Sequence, residues 1–194
     1  MNTINFQTKD GSFFTLSSEK EADKSCREYL LDLAMGKGRK RKSSETLRRG
    51  RLAACGLSFV VKNPFGELVG SVRLWHVTCR KGQDGIQHSL FLGPLAVSPE
   101  CSGIGIGSLL MRHAIAMAKE LGHGAILLVG DPEFYQRFGF SSDLTKNLAM
   151  PGPYEKHRFQ ALELISGHLS ACHGVLIPSG KLKRQSRFQR HKVA

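Results

Sequence analysis

Apolar positions change their period several times along the chain, and each change marks an element. Over Glu19–Met35, Ala22, Cys26, Tyr29, Leu30 and Leu33 recur at helical spacing, which predicts a helix with Ser18 as its N-cap. Gly36 and Gly38 end it, and Ser44 offers a cap for a second short helix, SETLRRG, stopped by Gly50. LSFVV and LVGSVRLWHV flank the turn Lys62-Asn63-Pro64-Phe65-Gly66 and read as a β-hairpin, with strands over 57–61 and 68–77. After the loop CRKGQDGIQ comes a third strand, SLFLGPLAV. From Gly105 to Leu121 the spacing is helical again, with Ile106, Leu110, Ala114, Met117 and Leu121 on one stripe and Gly122 at the C′ position. AILLV is short and wholly apolar, as in a strand buried on both faces. Asp131-Pro132-Glu133 supplies an N-cap, a proline at the first helical position and an acid in the first turn of a helix, EFYQRF, that ends at Gly139. Strands are predicted at 159–164, FQALEL, and at 174–177, GVLI. The order is that of a mixed α/β domain over residues 1–180, followed by a basic, solvated tail over 181–194.

The 194-residue chain suffices for one domain with its own core, and its apolar fraction of 41% is ordinary. No run reaches the ~20 apolar residues of a membrane span. The stretch MNTINFQTKDGSFF lacks both the basic start and the apolar centre of a signal peptide, so a cytoplasmic location is expected. The five cysteines show neither a CxxC nor a metal spacing; free thiols and no metal are the expectation. The net charge of +12 is local. Residues 37–51 hold eight Lys/Arg against one Glu, and residues 181–192 hold six against none. What is left is close to neutral, which argues against a surface-wide nucleic-acid footprint. The first basic segment is open to three readings: a path for an acidic acceptor, a contact for a cofactor phosphate, or a solvated linker.

The most informative stretch is AVSPECSGIGIGSLLM, residues 96–111, where an apolar strand ends, three glycines alternate and an apolar helix begins. Alternating glycines let backbone N–H groups converge without Cβ clashes, and the helix behind them adds partial positive charge. This is a phosphate or pyrophosphate cradle, unless the glycines only punctuate packing. A Walker loop is excluded, because Gly107-Ser108 lacks the lysine. A dinucleotide fingerprint fails in both registers: it needs glycine at 108 or at 110, where Ser108 and Leu110 stand.

LGPLAVSPECSGIGIGSLLM, followed by GHGAILLVGDPEFYQRFGF, resembles the GNAT superfamily of N-acetyltransferases, in a bacterial subgroup with the motif GDPxFYxRFGF. The likeness spans roughly residues 57–140. The family pattern Gln/Arg-x-x-Gly-x-Gly/Ala falls on Ser102-Gly103-Ile104-Gly105-Ile106-Gly107, with Ser102 replacing the leading Gln/Arg. The resemblance implies a single domain with a central mixed sheet, helices on both faces and central parallel strands that splay apart. It implies acetyl-CoA as co-substrate, with Leu95, Ala96 and Val97 pairing with the pantetheine amides. Ser102, Gly103, Ile104, Gly105, Ile106, Gly107 and Ser108 would surround the pyrophosphate, and Phe134 would touch the cofactor.

Acetyl transfer needs a neutral amine, an oxyanion site and a proton for the departing thiolate. Within the resemblance, Tyr135 occupies the general-acid position, and a phenol is protonated at neutral pH. It reads equally as a packed aromatic. His76, in RLWHV, is the candidate base; if Trp75 faces the core, strand alternation turns His76 to the other face. The acceptor pocket is expected between the N-terminal helices, the loop after Val77 and the segment after Phe140. A second class stays open: a non-catalytic acyl-CoA-binding module, or an RNA- or ribosome-associated protein using its basic segments. Nucleic acid is the less favoured partner.

Overall fold

The computed structural model describes residues 3–8 and 11–183. Strands β1 (Ile4–Gln7) and β2 (Phe13–Ser18) precede helix α1 (Lys24–Met35). Then come β3 (Ser58–Lys62), β4 (Leu68–Lys81), β5 (Gly85–Val97), helix α2 (Ile106–Glu120), β6 (Ala125–Val129) and the short helix α3 (Pro132–Tyr135). The fold closes with β7 (Leu148–Ala149), β8 (Phe159–Glu163) and β9 (Cys172–Pro178). The main sheet runs β1-β2-β3-β4-β5-β6-β8, antiparallel except where β5 meets β6, and β9 pairs with the far end of β4.

Two strands at the N-terminus were not predicted. Phe14 and Leu16 alternate inward along β2, so Ser18 closes that strand instead of capping a helix. A 3-10 turn, Glu21–Asp23, leads into α1, which presents an unexpected face. Its buried residues are Arg27, Leu30 and Leu31, while Cys26, Tyr29 and Leu33 of the predicted stripe are exposed. Gly36 does end α1, at φ 76°. The SETLRRG helix is a 3-10 turn over Ser43–Leu47, entered from Lys42 and not from Ser44. The β4 and β5 strands extend past their predicted ends, so all of the loop after Val77 but the turn at 82–84 is strand.

Helix α2 packs on one face of the sheet. It buries Ile106, Leu110, Met111, Ala114 and Ala118 against Val72, Leu74, Leu90 and Leu92, whereas Leu121 of the predicted stripe is exposed. On the opposite face, Leu30 and Leu31 of α1 meet Ala96, and Phe91, Leu127 and Phe159 join the segment around Leu148–Met150. Residues 181–183 are not free of the domain. Leu182 bridges to Arg51, the Leu52 N–H donates to the Lys181 carbonyl and the Lys183 N–H donates to that of Gly50. The rest of the predicted tail lies outside the described residues.

A buried ionic network ties α1 to the sheet. Glu19, only 4% exposed, receives hydrogen bonds from Arg27 of α1 and from Nε and Nη2 of Arg73 on β4, the latter at 2.6 and 3.0 Å. Removing one partner from such a set leaves uncompensated charge in low dielectric. Glu19→Gln keeps the shape and deletes the charge. It is expected to lower unfolding free energy by about 3–5 kcal/mol, read from the urea midpoint. A midpoint equal to that of the wild type would remove the network from the stability of the fold.

Candidate active site

The site begins where β5 and β6 part. They pair in parallel only at Leu90↔Ile126 and Phe91↔Leu127, although β5 runs on to Val97 and β6 to Val129. Gly93 and Pro94, joined by a cis peptide bond, fall at the register break between β5 and β4. The break advances the alternation by one residue. Leu90 and Leu92 face α2 before it, and Leu95 and Val97 pack toward that same side after it. Beyond Phe91 the edge of β5 facing β6 has no partner strand among the described residues, which leaves an open notch between the two.

A groove of about 590 Å³ leads out of this notch along the glycine loop. Leu95, Val97, Ser102, Gly103, Gly105, Ile106, Gly107, Ser108 and Phe134 of the predicted binding set line it. Two members do not. Ala96 turns to the α1 face beside Leu30 and Leu31, and the Ile104 side chain packs into the core behind the loop. Helix α2 starts at Gly105, φ 100°, and its first intrahelical bond is donated by the Leu109 N–H to the Gly105 carbonyl. The N–H groups of Ile106, Gly107 and Ser108 are thus the free first-turn donors of a 15-residue helix, at the floor of the groove. Such an end carries about half a positive charge. A Cβ on Gly107 would sit 3.5 Å from the Phe134 ring and 3.6 Å from Val97, so the groove wall closes over a bare backbone. Lys42, from the basic segment that was open to contact with a cofactor phosphate, adds a cationic group to the rim, as do Arg137 and Arg158, which sequence reasoning missed.

Tyr135 is held at the junction of groove and notch. Asp131 caps α3 by accepting from the Glu133 N–H at 3.2 Å, with Pro132 in the first turn as predicted. The ring lies edge-on to Phe134 and Phe140 and against the backbone of Gly130, where a Cβ would fall 2.0 Å from Tyr135 Cε2. No residue but glycine fits there. The ring also lines a narrow slot of about 100 Å³ with Phe91, Gly93, Pro94, Leu95 and Val129. Burial pushes its hydroxyl up to about 12, with the nearby Asp131 carboxylate acting in the same sense and Arg158 opposing.

His76 is not brought to this place. Trp75 is buried on the α1 side, donating from Nε1 to the Gly93 carbonyl, and alternation turns His76 toward the end of α2. There its ring lies 5.6 Å from that of His123, and burial, then His88, lowers its pKa. The expectation of His76 as base is therefore dropped.

On the far side of Pro94 from the groove is a second cavity of about 440 Å³, lined by Trp75, Leu31 and the arginines 27, 39, 48 and 73. Segment 37–51 is thus no solvated linker: Arg39 and Arg48 are 4% and 8% exposed and form one wall. Arg39 pairs with Asp32 at 2.8 Å and Glu28 at 2.6 Å; Arg48 pairs with Glu45 at 2.6 Å. Burial acts to raise the pKa of Glu28, but hydrogen bonds from Arg27 and Arg39 overcome it and hold the carboxyl at about 2. Glu28 is therefore an anchor for arginines and a poor base. The cavity and the Tyr135 slot share Arg39, Arg48 and Pro94, so they adjoin across these three residues. Among the described residues no group of three or more His, Cys, Asp or Glu is placed to hold a metal, and no helix is long and apolar enough to cross a membrane.

A mixed sheet with parting parallel strands, a glycine loop feeding a helix and a tyrosine at the notch is the arrangement that the resemblance to N-acetyltransferases implies. Residues 55–142 match the family described as acetyltransferase (GNAT) domain. Over 120 residues the chain is 28% identical to YhbS of Escherichia coli K12, an uncharacterised N-acetyltransferase, covering 62% of this chain and 70% of that one. A second E. coli K12 protein, the uncharacterised N-acetyltransferase YjhQ, is 31% identical over 97 residues, 48% of this chain and 52% of the other. The crystal structure of E. coli YhbS in complex with CoA superimposes with a TM-score of 0.69 at 25% identity, covering 83% of this chain and 87% of YhbS. Over residues 55–142 the chain is thus similar to GNAT acetyltransferase domains, and its fold is similar to that of YhbS.

Proposed function

We propose that this chain transfers an acetyl group from acetyl-CoA to a primary amine by direct attack on the thioester. The observation that carries the reading is the joining of three parts at one point: the helix-end cradle, the unpaired edge of β5 and the Tyr135 slot. The first-turn N–H groups of α2 and the glycine backbone hold the pyrophosphate. The free edge of β5 at Leu95–Val97 takes the pantetheine amides as an added strand would be taken. This lays the thioester in the notch, beside Tyr135. Ser102 stands where the resemblance has Gln or Arg; Arg137 and Arg158 at the rim offer cationic partners in its place.

In the reaction the amine lone pair attacks the acetyl carbon, a C–N bond forms and the C–S bond breaks. Tyr135 donates its hydroxyl proton to the thiolate, and the surplus proton of the new amide nitrogen leaves to solvent. The acid must be protonated to act, and a hydroxyl pushed up to about 12 is protonated throughout the working range. The amine must be neutral. The rate of acetyl-CoA-dependent thiol release is thus expected to rise about tenfold per pH unit below the acceptor's own pKa, and then to level. No falling limb should appear before about pH 10, where an unperturbed tyrosine would begin to ionise. A bell with its alkaline limb near neutrality would remove Tyr135 from the acid role. Absence of thiol release with any amine, in protein shown to bind acetyl-CoA, would favour the non-catalytic binding module.

A further inference from the structure

The cavity on the far side of Pro94 has a chemistry that the transfer reaction does not require. Eight Lys and Arg line it against two Glu. The four inner arginines, 27, 39, 48 and 73, are met by the carboxylates of Glu19, Glu28, Asp32 and Glu45, which fix their guanidinium groups in place. Of the other four, Lys24 pairs with Glu21, and the excess of charge comes from Lys40, Arg49 and Lys183. Two of the inner arginines have donors left over. Arg27 Nε is buried with no partner among the described residues. Arg48 spends only Nε on Glu45; its two terminal nitrogens make no hydrogen bond or ion pair among those residues, and neither is sealed from the cavity.

The position of Arg48 gives these facts their meaning. It lines both the cavity and the Tyr135 slot, and its Nη1 would lie 3.8 Å from a Cβ at Gly93. A planar fork with two free donors, held by a carboxylate at its Nε, is suited to bidentate capture of a carboxylate or phosphate. Trp75 supplies a flat apolar wall beside it, with the Arg73 guanidinium 5.5 Å from the centre of its ring. A neutral or cationic amine would find neither a partner for Arg48 nor relief from the surplus charge.

We propose that the acceptor is a small amine bearing an oxyanion, which Arg48 and its neighbours hold while the amine reaches through to the slot beside Tyr135. This inference rests on the acetyltransferase reading for its consequence, but the cavity can be tested without turnover. Trp75 is the only tryptophan of the chain, so its fluorescence reports on this cavity alone. The full chain is titrated with β-alanine, γ-aminobutyrate and phosphoethanolamine, with their uncharged partners β-alaninamide, γ-aminobutyramide and ethanolamine, and with putrescine.

At least one oxyanion-bearing amine is expected to saturate the Trp75 signal with a Kd at least about tenfold below that of its partner. Whether a carboxylate or the phosphate binds best separates the two sources of the shared chemistry. Arg48→Gln should erase most of that difference, and Arg48→Lys, which keeps the charge without the fork, should restore part of it. Equal or tighter binding of the uncharged amines or putrescine overturns the proposal, as does an Arg48→Gln protein that titrates like the wild type. So does the lack of a saturable response to every oxyanion. The titrations are repeated under saturating acetyl-CoA; loss of the oxyanion response there hands the arginines to the cofactor's phosphates and also overturns it. Calorimetry with acetyl-CoA alone keeps the two readings apart. Binding of acetyl-CoA with no oxyanion preference sinks this inference only, whereas failure to bind acetyl-CoA sinks the proposed function.

Discussion

Tyr135→Phe is expected to lower kcat by about a hundredfold to ten-thousandfold, while leaving the dissociation constant for acetyl-CoA nearly unchanged. The substitution deletes one oxygen from a ring whose packing against Phe134, Phe140 and the Gly130 backbone involves only carbon. Position and fold should therefore be kept. What is lost is the proton for the thiolate, which must then be drawn from water or leave uncompensated. Rapid-quench turnover beside calorimetric binding separates the two quantities. The effect should also depend on the leaving group: a thioester of a more acidic thiol needs the proton less and should narrow the gap between variant and wild type. A variant with unchanged kcat would make Tyr135 a packing residue only.

Gly105→Glu should have an effect of comparable size, but on binding. Gly105 opens α2 with φ 100°, and a Cβ there meets nothing within 4 Å, so the new side chain projects into the groove and not into the core. Left-handed backbone strains a non-glycine residue by roughly 1–2 kcal/mol. Stability should fall by about that amount, with the protein still folded. In the groove, a carboxylate beside the pyrophosphate opposes it with like charge and competes for the free N–H groups of Ile106 and Gly107. A penalty of several kcal/mol is expected, about a hundredfold or more in Kd. Calorimetry on the folded variant checks it. Wild-type affinity would move the pyrophosphate away from the α2 terminus.

The elements that form the notch were the most legible part of the chain. Strands β4 and β5 are long, β3 and β6 are short apolar runs, and helix α2 is strongly periodic, with glycine, proline and aspartate at their ends. The cradle and the cap at Asp131 followed from local backbone chemistry, which sequence encodes directly. The first two strands did not, because INFQ and FFTLSS are short and lie at a sheet edge where pairing, not composition, creates the strand. The face of α1 was misread for a different reason. Apolar spacing pointed to Tyr29 and Leu33, but the helix turns Arg27 inward because Glu19, eight residues earlier at the end of β2, waits there with Arg73. A buried arginine looks like a surface arginine until its carboxylate partners are located, and those of Arg27 are Glu19, before the helix, and Glu28, within it. The same ignorance of facing applied to His76. One residue of alternation, fixed by the fit of Trp75 beneath Gly93, decided that it points toward His123. Arg158 gave no signal, since it reaches the groove from the start of β8 through pairing with β6.

Residues 181–183 pair with 50–52, and Lys183 stands among the residues at the mouth of the arginine cavity. Lys183 therefore stands at the doorway of the cavity proposed above for the acceptor. A purification handle or reporter joined directly after Lys183 would crowd that doorway, and an acidic one would compete for its cations. The N-terminus enters through β1, at one margin of the sheet and with α1, β3 and β4 between it and the glycine loop in the chain order. Handles belong at that end, and kinetic constants from proteins tagged at the other should be compared with untagged material before acceptors are ranked.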